Sequence, residues 1–326
     1  MTHVGIIGAG SLGGLIAGLM HTHGHEVSVT ARGANLTAIG EHGLRLTGGF
    51  GEHTARVRAA EQLPDVDLVI LTVKTLDTEA ALAANPIARE RPVLVIQNGL
   101  APHERAAKLL GHDRVAAGIA TTATNLTGPG TVHITAAGLL FIGGPAADAF
   151  LPLIEPAVPG TSRIDDIIGA QWTKLVINMV NAVPALVGKS VQDTIATRAL
   201  RRIVTASMRE TVSVGAAAGA RFAPLQGLNS GLLALLRHGP LAMSSIVPRR
   251  MARVMGDVPN LGSTQQSLLR GQRTEIDYLN GAVVEAAASA GTTAPVNAAI
   301  TALMHEREQR EGPLPVAEVV ARVPLR

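Results

Sequence analysis

The sequence predicts an α/β protein in two parts, a doubly wound parallel sheet followed by an all-helical C-terminal domain. Near the N-terminus, a glycine-rich segment lies between a short apolar strand and a helix, and further apolar strand-like runs follow. After about Asp166, long Ala/Leu/Val segments with helical periodicity replace these runs. Because 326 residues are many for one hydrophobic core, we expect two domains, 1–166 and 167–326, with the boundary between Ile164 and Gly169.

The glycine-rich segment has the G-x-G-x-x-G pattern of a dinucleotide-binding turn. A short apolar strand ends just before it at Ile7, and helical residues are established by Leu15, which is the context that gives the pattern meaning. In a Rossmann-type fold, Gly8 allows the tight turn, Gly10 lets a pyrophosphate approach the backbone, and Gly13 lets the helix pack on the strand. The N–H groups at the start of the helix also bind phosphate. The predicted cofactor-binding residues in this segment are Gly8, Gly10, Ser11, Leu12 and Gly13.

The second predicted strand, Glu26–Thr30, ends just before Arg32. A cofactor with a free ribose 2′-hydroxyl is expected to meet Asp or Glu here, whereas Arg32 supplies a cation that suits a 2′-phosphate. The sequence therefore predicts NADP(H) rather than NAD(H), with simple solvation of a strand end as the alternative role of Arg32. His21, His23 and His25 are expected to occupy the turn before this strand and not to bind a metal.

Two near-continuous apolar runs, Val66–Val73 and Val93–Ile96, are typical of parallel strands covered on both faces. Lys74 follows the first run, and Asn98 lies just beyond the second. Since open α/β sheets bind ligands at the carboxyl ends of their strands, we expect Lys74 and Asn98 to contact cofactor or substrate, the alternative being ordinary solvation. Further strands are predicted at Val115–Ala120, Val132–Thr135 and Leu139–Gly143, the last two as an antiparallel addition after the turn at Thr127–Gly130.

In the second half, one lysine lies in an otherwise apolar helix, Trp172–Leu186. Lys174, Asn178 and Asn181 follow one another at i, i+4 and i+7, which places them within about 60° on a helix. An ammonium and two amides among Leu, Val, Ile, Met and Ala are typical of a helix that lines a cleft, since burial without a partner or ligand is costly. The alternative is that Lys174 reaches the surface and the asparagines bridge neighbouring helices.

A second polar segment begins near Thr274. Thr274 followed by Asp277 resembles a capping box, which predicts a helix from here to about Ala290. Glu275 would then be an acid in a first turn, where the helix dipole favours it. Its carboxylate could instead hold the Lys174 ammonium or bind a substrate hydroxyl, and the residues alone leave this open. Breaks are predicted at 219–224, 238–240 and 256–259, and the apolar run 231–236 is either core or a dimer face.

Composition excludes several classes of function. Apolar residues make up 47% of the chain without a run of 18, which argues against a membrane span. The N-terminus lacks the basic region of a signal peptide, so we expect a soluble, cytoplasmic protein. With no cysteine, disulfides, thiol nucleophiles and Cys-ligated metals are excluded. A net charge of +3 and 2% aromatic residues argue against a nucleic-acid partner.

Taken in order, the glycine turn, Arg32, Lys74, Asn98–Gly99, the Lys174 helix and the segment Thr274–Gly281 resemble the ketopantoate reductase family. Members are NADPH-dependent 2-dehydropantoate 2-reductases of pantothenate biosynthesis, and the likeness runs from residue 3 to the segment at 294–297. The resemblance implies a Rossmann domain, an all-helical domain and an active site in the cleft between them, with NADP as cofactor and a small 2-oxo acid as substrate. The oligomeric state stays open, a homodimer included.

The resemblance also implies roles for single residues. Lys174 is similar to the general acid of the family, Glu275 to the acidic partner near the cofactor, and Ser263 to the contact of the substrate carboxylate. The implied catalytic residues are thus Lys174 and Glu275. The implied cofactor contacts are Gly8, Gly10, Ser11, Leu12, Gly13, Arg32, Lys74, Asn98, Ala123 and Glu275. The implied substrate contacts are Asn98, Lys174, Asn178, Asn181 and Ser263.

Three positions depart from the family pattern on the presumed substrate side. Ala182 stands where a second asparagine is common, Ser267 stands near a common aspartate, and Thr122 stands where a histidine is frequent. The expected reaction is hydride transfer from NADPH to the carbonyl carbon of a 2-oxo acid, with a proton from Lys174. The departures keep a different 2-oxo acid or an imine open as substrate. An NADP(H) sensor without turnover is a further alternative, because a fold does not fix a function.

Overall fold

The computed structural model describes residues 2–256 and 258–325. Its contacts divide the chain into two compact units, Met1–Ile167 and Ile168–Arg326, and each unit is described by itself. Asp257, inside the third predicted break, lies outside the described residues. No helix of the described residues is both long enough and apolar enough to cross a membrane.

The first unit is built from strands and short helices. Its strands are β1 His3–Ile7, β2 Glu26–Thr30, β3 Leu44–Gly48, β4 His53–Ala55, β5 Arg58–Ala60, β6 Leu68–Leu71, β7 Val93–Ile96, β8 Val115–Ala120, β9 Ala123–Gly128, β10 Thr131–Ala136, β11 Leu140–Gly143 and β12 Thr161–Arg163. Its helices are α1 Ser11–Thr22, α2 Gly33–His42, α3 Thr78–Ala84, α4 Pro102–Leu110 and α5 Ala147–Ala157. Short 3₁₀ turns lie at Thr75–Asp77, Pro86–Arg89 and His112–Arg114.

Eight strands form the main sheet, in the order β12-β11-β8-β7-β6-β1-β2-β5. Neighbours are parallel except β11, which runs antiparallel to β8. The central strands β6 and β7 are buried at every residue, which explains their uninterrupted apolar sequence. Because β1 lies between β2 and β6, the strand order reverses beside it, and such a switch point is where open α/β sheets bind ligands.

A second sheet, with the order β4-β3-β10-β9, covers the other side of α1. A Cβ on Gly14 would lie 2.8 Å from Val132 Cγ2, and one on Gly18 would lie 2.5 Å from Leu46 Cδ1, so these glycines let the helix and the sheet meet. The two segments predicted as an antiparallel addition, 132–135 and 139–143, both have an antiparallel neighbour but lie in different sheets. β10 pairs with β9 and β3 in this sheet, whereas β11 pairs with β8 in the main sheet, so the chain leaves one sheet for the other between them.

The second unit is built from helices, which confirms the predicted fold class. They are α6 Ile167–Asn178, α7 Ala182–Val187, α8 Val191–Ala196, α9 Arg198–Ala217, α10 Ser230–His238, α11 Leu241–Ser244, α12 Ile246–Val254, α13 Gly262–Leu269, α14 Asn280–Ser289, α15 Pro295–Glu308 and α16 Val316–Arg322. A 3₁₀ turn lies at Ile276–Tyr278. Within the run 231–236, Leu233 and Leu236 are buried, so these two side chains belong to the core.

The predicted single helix over 172–186 is wrong, because α6 ends at Asn178 and α7 begins at Ala182. Between them, Val180 N–H donates to the Ile177 carbonyl at 3.4 Å and Asn181 N–H to the Asn178 carbonyl at 3.0 Å, as in a tight 3₁₀-like turn. Pro184 is the physical reason, since its ring clashes with the carbonyl four residues earlier and it has no N–H to donate. As the third residue of α7, where no intrahelical donor is needed, it is tolerated.

Candidate functional site

The turn after β1 depends on three glycines. Gly8 has a φ of +106°, in the left-handed region that favours glycine. A Cβ on Gly13 would lie 2.0 Å from the Gly8 carbonyl oxygen, so only glycine allows α1 to approach the turn this closely. A Cβ on Gly10 would meet no described atom within 4 Å. The turn is therefore tightly packed at Gly8 and Gly13, and open at Gly10, where the sequence predicts a pyrophosphate.

The beginning of α1 offers backbone N–H groups to an anion. Gly10 is its extended N-cap residue, and no described side chain caps this end. Ser11, Leu12 and Gly13 form the first turn, whose N–H groups have no partner within a helix and lie at the positive end of its dipole. No acidic residue stands in this turn to repel a phosphate. The geometry fits the phosphate-binding role that the sequence predicts.

Arg32 lies at the carboxyl end of β2 and immediately before α2. Its side chain is exposed, and its guanidinium forms no ion pair with another described residue. A cation in this position stays available for an anionic ligand. The three histidines before β2 form no metal cluster with other described residues, and the His23 ring nitrogen Nδ1 lies 3.0 Å from the Leu19 carbonyl oxygen.

The carboxyl ends of β6 and β7 are joined by side-chain hydrogen bonds. Thr75 Oγ1 donates to the Asn98 carbonyl oxygen at 3.0 Å, and Gln97 Nε2 donates to the Val73 carbonyl oxygen at 2.8 Å. Lys74, half-buried, precedes Thr75, and Asn98 is half-buried as well. The structure thus brings the segments that carry Lys74 and Asn98 together.

Ala123 lies in a different part of the first unit from that of Lys74 and Asn98. It is the first residue of β9, in the second sheet, three positions after β8 ends. Its carbonyl oxygen accepts a hydrogen bond from Thr135 Oγ1 at 3.0 Å, which fixes this backbone in the hairpin with β10.

Lys174 and Asn178 occupy one face of α6, a single turn apart. The Lys174 ammonium makes no hydrogen bond or ion pair with another described residue, and desolvation by burial lowers its pKa to about 8. Asn178 is buried, and its Nδ2 has no hydrogen-bond partner among the described residues. Buried polar groups are almost always hydrogen-bonded, so the unpartnered Asn178 amide beside the half-buried Lys174 ammonium indicates a place where a ligand supplies the acceptor.

Asn181 and Ser263 are brought near each other by the turn between α6 and α7. Asn181 precedes α7, and its Oδ1 lies 2.8 Å from the position of a Cβ on Gly262. Gly262, with a φ of +59°, begins α13, and the exposed Ser263 is the next residue. The predicted single helical stripe of Lys174, Asn178 and Asn181 is therefore wrong, because the break at Pro184 redirects the chain. Asn181 instead faces the first turn of α13.

The predicted capping box at Thr274 forms only in part, because Thr274 Oγ1 accepts from Ile276 N–H at 3.3 Å but Asp277 is bonded elsewhere. Thr274 donates from its backbone N–H and its hydroxyl to Glu308 Oε1, at 2.7 and 2.6 Å, and Asp277 Oδ1 lies 2.8 Å from His305 Nε2. Both side chains therefore bind α15, and the helix begins later, at Asn280. Glu275, half-buried, precedes the 3₁₀ turn Ile276–Tyr278 instead of standing in the first turn of a helix.

Thr30 and Asn35 support the glycine turn, and the sequence reasoning missed them. Gly8 N–H donates to Thr30 Oγ1 at 2.9 Å, and Ala9 N–H donates to the Thr30 carbonyl at 2.8 Å. Asn35 Nδ2 donates to the Ala9 carbonyl at 2.8 Å. A hydroxyl at the end of β2 and an amide in the first turn of α2 were visible in the sequence, but their partners were not.

Comparison with known proteins agrees with these two units. The family model described as "Ketopantoate reductase PanE/ApbA" matches residues 4–146, and its C-terminal counterpart matches residues 166–308. The chain is 28% identical to a 2-dehydropantoate 2-reductase of Pyrococcus horikoshii, over 94% of this chain and 98% of the relative. It is 30% identical to the enzyme of that name from Halobacterium salinarum, again over 94% and 98%.

The chain belongs to the ketopantoate reductase family. Among solved structures of this fold, the PanE/ApbA family ketopantoate reductase of Ralstonia eutropha JMP134 has a TM-score of 0.79 and 28% identity, covering 94% of this chain and 98% of that one. D-mandelate dehydrogenase, in a ternary structure with NADH and anilino(oxo)acetate, has a TM-score of 0.77 over 94% and 98%. At 20% identity, that second likeness shows the fold alone.

The three departures from the ketopantoate reductase pattern lie at defined places. Ala182 is buried as the first residue of α7, directly after Asn181. Ser267 is buried in α13, one turn after Ser263, and donates to the Ser263 carbonyl at 3.1 Å. Thr122 lies between β8 and β9, where its backbone nitrogen would be 2.4 Å from a Cβ on Gly138. Ala182 and Ser267 therefore adjoin the pair Asn181 and Ser263.

Proposed function

We propose that this chain reduces the 2-oxo acid 2-dehydropantoate (ketopantoate) to pantoate with NADPH, and that Lys174 donates the proton. The substrate is taken from the names of relatives that align over 98% of their length. The observation that carries the chemistry is the pair of neighbouring donors on α6. The Lys174 ammonium and the Asn178 amide lack protein acceptors among the described residues, and the lysine pKa is lowered to about 8.

The first unit supplies residues that fit NADPH. The open backbone at Gly10 and the uncapped start of α1 would hold the pyrophosphate, and the unpaired Arg32 would hold the 2′-phosphate. Lys74, Asn98 and Ala123 are proposed to contact the rest of the cofactor, together with Glu275 of the second unit. When bound, NADPH supplies the hydride that reduces the carbonyl carbon.

The second unit supplies the proton and orients the acid. The Lys174 ammonium would donate to the carbonyl oxygen, stabilise the negative charge that develops there and then release its proton to form the hydroxyl. A lysine whose pKa is about 8 is still charged near neutral pH and yet gives up its proton readily. Asn178 Nδ2 would donate to the same oxygen, while Asn98, Asn181 and Ser263 would orient the substrate and its carboxylate. Solvent then returns a proton to Lys174.

Replacement of the proton donor tests this mechanism. Lys174→Ala should lower kcat by about 10² to 10⁴ because general acid catalysis is typically worth that much, while the Kd for NADPH changes little. Steady-state kinetics with 2-dehydropantoate and a fluorescence titration with NADPH measure the two quantities. Lys189→Ala is the matched control, since Lys189 is an exposed lysine of the same unit. If Lys174→Ala weakens NADPH binding as much as it lowers kcat, the lysine is structural and the proposed role is wrong.

A different 2-oxo acid is the second candidate substrate. Ala182 and Ser267 change the surroundings of Asn181 and Ser263, where the proposal puts the substrate carboxylate. The oxidation of NADPH over a panel of 2-oxo acids and cyclic imines, followed at 340 nm, separates the candidates. Turnover with 2-dehydropantoate alone supports the first substrate, and faster turnover with another acid supports the second. Binding of NADPH without any oxidation would indicate a sensor and refute both.

A further inference from the structure

Asn35 joins three segments of the first unit that are far apart in the sequence. Its Nδ2 donates to the Ala9 carbonyl in the glycine turn at 2.8 Å. Its Oδ1 accepts from Gly130 N–H, in the turn between β9 and β10, at 2.7 Å. Asn35 itself is the third residue of α2, three positions after Arg32. One half-buried side chain thus connects the glycine turn, the start of α2 and the second sheet.

The contact with Ala9 determines the orientation of a peptide group in the glycine turn. Ala9 is held on both sides, because its N–H donates to the Thr30 carbonyl at 2.8 Å while its carbonyl accepts from Asn35. In a trans peptide the C=O of Ala9 and the N–H of Gly10 point in opposite directions. When Asn35 fixes the carbonyl, it therefore also fixes the direction of the Gly10 N–H, at the residue where the backbone is open.

The contact with Gly130 anchors the Asn35 side chain to the second sheet. Gly130 has a φ of +66°, and its carbonyl accepts from Arg45 N–H of β3 at 2.8 Å, so it is anchored in the second sheet. A Cβ on Gly130 would lie 3.4 Å from Ala38 Cβ of α2, which shows how closely this turn packs on the helix. The first turn of α2, directly after Arg32, is thereby held between the glycine turn and a rigid hairpin.

We infer that Asn35 is a positioning residue for cofactor specificity: it holds Arg32 at a fixed separation from the glycine turn and so favours a dinucleotide with a 2′-phosphate. This inference rests on the proposed function, in which these two elements hold the 2′-phosphate and the pyrophosphate of one NADPH. A cofactor without the 2′-phosphate uses the glycine turn but not Arg32. The loss of Asn35 therefore weakens NADPH binding more than NADH binding.

The test compares both cofactors in four proteins: the wild type, Asn35→Ala, Arg32→Ala and Thr37→Ala. Two hydrogen bonds are removed in Asn35→Ala, so we expect its Kd for NADPH to rise about tenfold, with a rise of less than about threefold for NADH. Arg32→Ala should raise the Kd for NADPH relative to that for NADH still further, because Arg32 is the proposed direct contact of the 2′-phosphate. Thr37→Ala is the matched control, because Thr37 is exposed on the same helix and, among the described residues, its Oγ1 bonds only to the Gly33 carbonyl, at 3.5 Å.

The melting temperature of each variant shows whether it is folded, and a second variant serves if Asn35→Ala is not. If Asn35→Ala is too unstable to titrate, Asn35→Ser keeps a polar side chain that is too short to reach both partners, and the same selective loss is expected. Equal losses for NADPH and NADH in either variant, or no loss at all, would overturn the inference. A wild-type protein that binds neither cofactor would instead refute the proposed function, so the two failures are distinguishable.

Discussion

At the scale of single residues, Lys174 is an ionisable side chain that has lost part of its hydration on folding. Its neighbours on α6, Leu175 and Val176, are buried, and the described residues offer no carboxylate to the ammonium. Desolvation is therefore the cause of the lowered pKa. For an acid catalyst this has a direct consequence, because the fraction of enzyme that carries the transferable proton changes near pH 8.

The rate of the reductase is expected to depend on this titration. If the charged form of Lys174 donates the proton, as proposed, kcat/KM should be constant below about pH 8 and fall above it, with an apparent pKa near 8. In the complex, the carboxylate of the substrate favours the charged form, so the pKa seen in kcat should be higher. Rates measured from pH 6 to 10 check both statements. Lys174→Arg stays charged over this range, and its residual activity should lack the alkaline fall.

The same shift affects stability with a defined sign. The pKa of Lys174 is lowered in the folded chain from 10.5 to about 8, so between these values the unfolded chain binds more protons. The free energy of unfolding should therefore rise with pH across this window, while the rate falls. If the free energy of unfolding rises with pH while the rate falls, the fall in rate comes from the titration of Lys174 and not from a loss of structure at high pH.

At the scale of elements, a buried polar cluster joins several helices of the second unit. Asn297 of α15 accepts from Ser207 Oγ of α9 at 2.8 Å and from Asn280 Nδ2 of α14 at 2.9 Å, and its own Nδ2 donates to Glu210 Oε2 at 2.9 Å. Glu210 also accepts from the N–H groups of Val296 and Asn297, both at 2.9 Å, and so caps α15. Asn280 Nδ2 further lies 3.4 Å from Met179 Sδ, in the break after α6.

Removal of the central amide should be costly. Asn297→Ala removes the acceptor of the buried Ser207 hydroxyl and the nearest acceptor of the Asn280 amide, so we expect the free energy of unfolding to fall by about 3 kcal/mol. Urea unfolding followed by circular dichroism measures the change. Thr301→Ala is the control on the same helix, because within the described part of the chain its hydroxyl bonds only to the Asn297 carbonyl, at 2.9 Å. A loss no larger than that of the control would show that the cluster does not hold these helices.

The elements also show where sequence patterns succeed and fail. Strands β2, β7 and β8 begin and end as predicted. In β7 the cause is a continuous apolar run, which indicates burial on both faces, and in β8 it is a run of apolar residues and glycine. The sequence analysis did not predict strand β3. Its buried Leu44 and Leu46 alternate with an exposed Arg45, and this two-residue period extends over too few residues to indicate a strand. Its partner β10 lies more than 80 residues later, and no local pattern indicates that pairing.

At the scale of the whole molecule, cofactor binding should stabilise the chain through the first unit. A ligand that binds only the folded state stabilises by RT ln(1 + [L]/Kd), which is about 2.7 kcal/mol at 100 times Kd. We expect NADPH to raise the melting temperature of the transition that includes the first unit, and NADH to raise it less at equal concentration. Calorimetry with each cofactor checks this. No shift with millimolar NADPH would contradict the proposed cofactor.

The sequence alone was enough to find the chemical features of this chain and their order. The apolar runs and helical periodicity predicted the fold class, and the ordered set from the glycine turn to the segment Thr274–Gly281 indicated the family, because each feature depends on neighbours a few residues away. Only the tertiary structure decided that Pro184 turns Asn181 toward α13, that Thr274 binds Glu308, and that Asn35 joins Ala9 to Gly130. These outcomes depend on which distant groups satisfy a buried donor or acceptor, and that is settled when the elements pack.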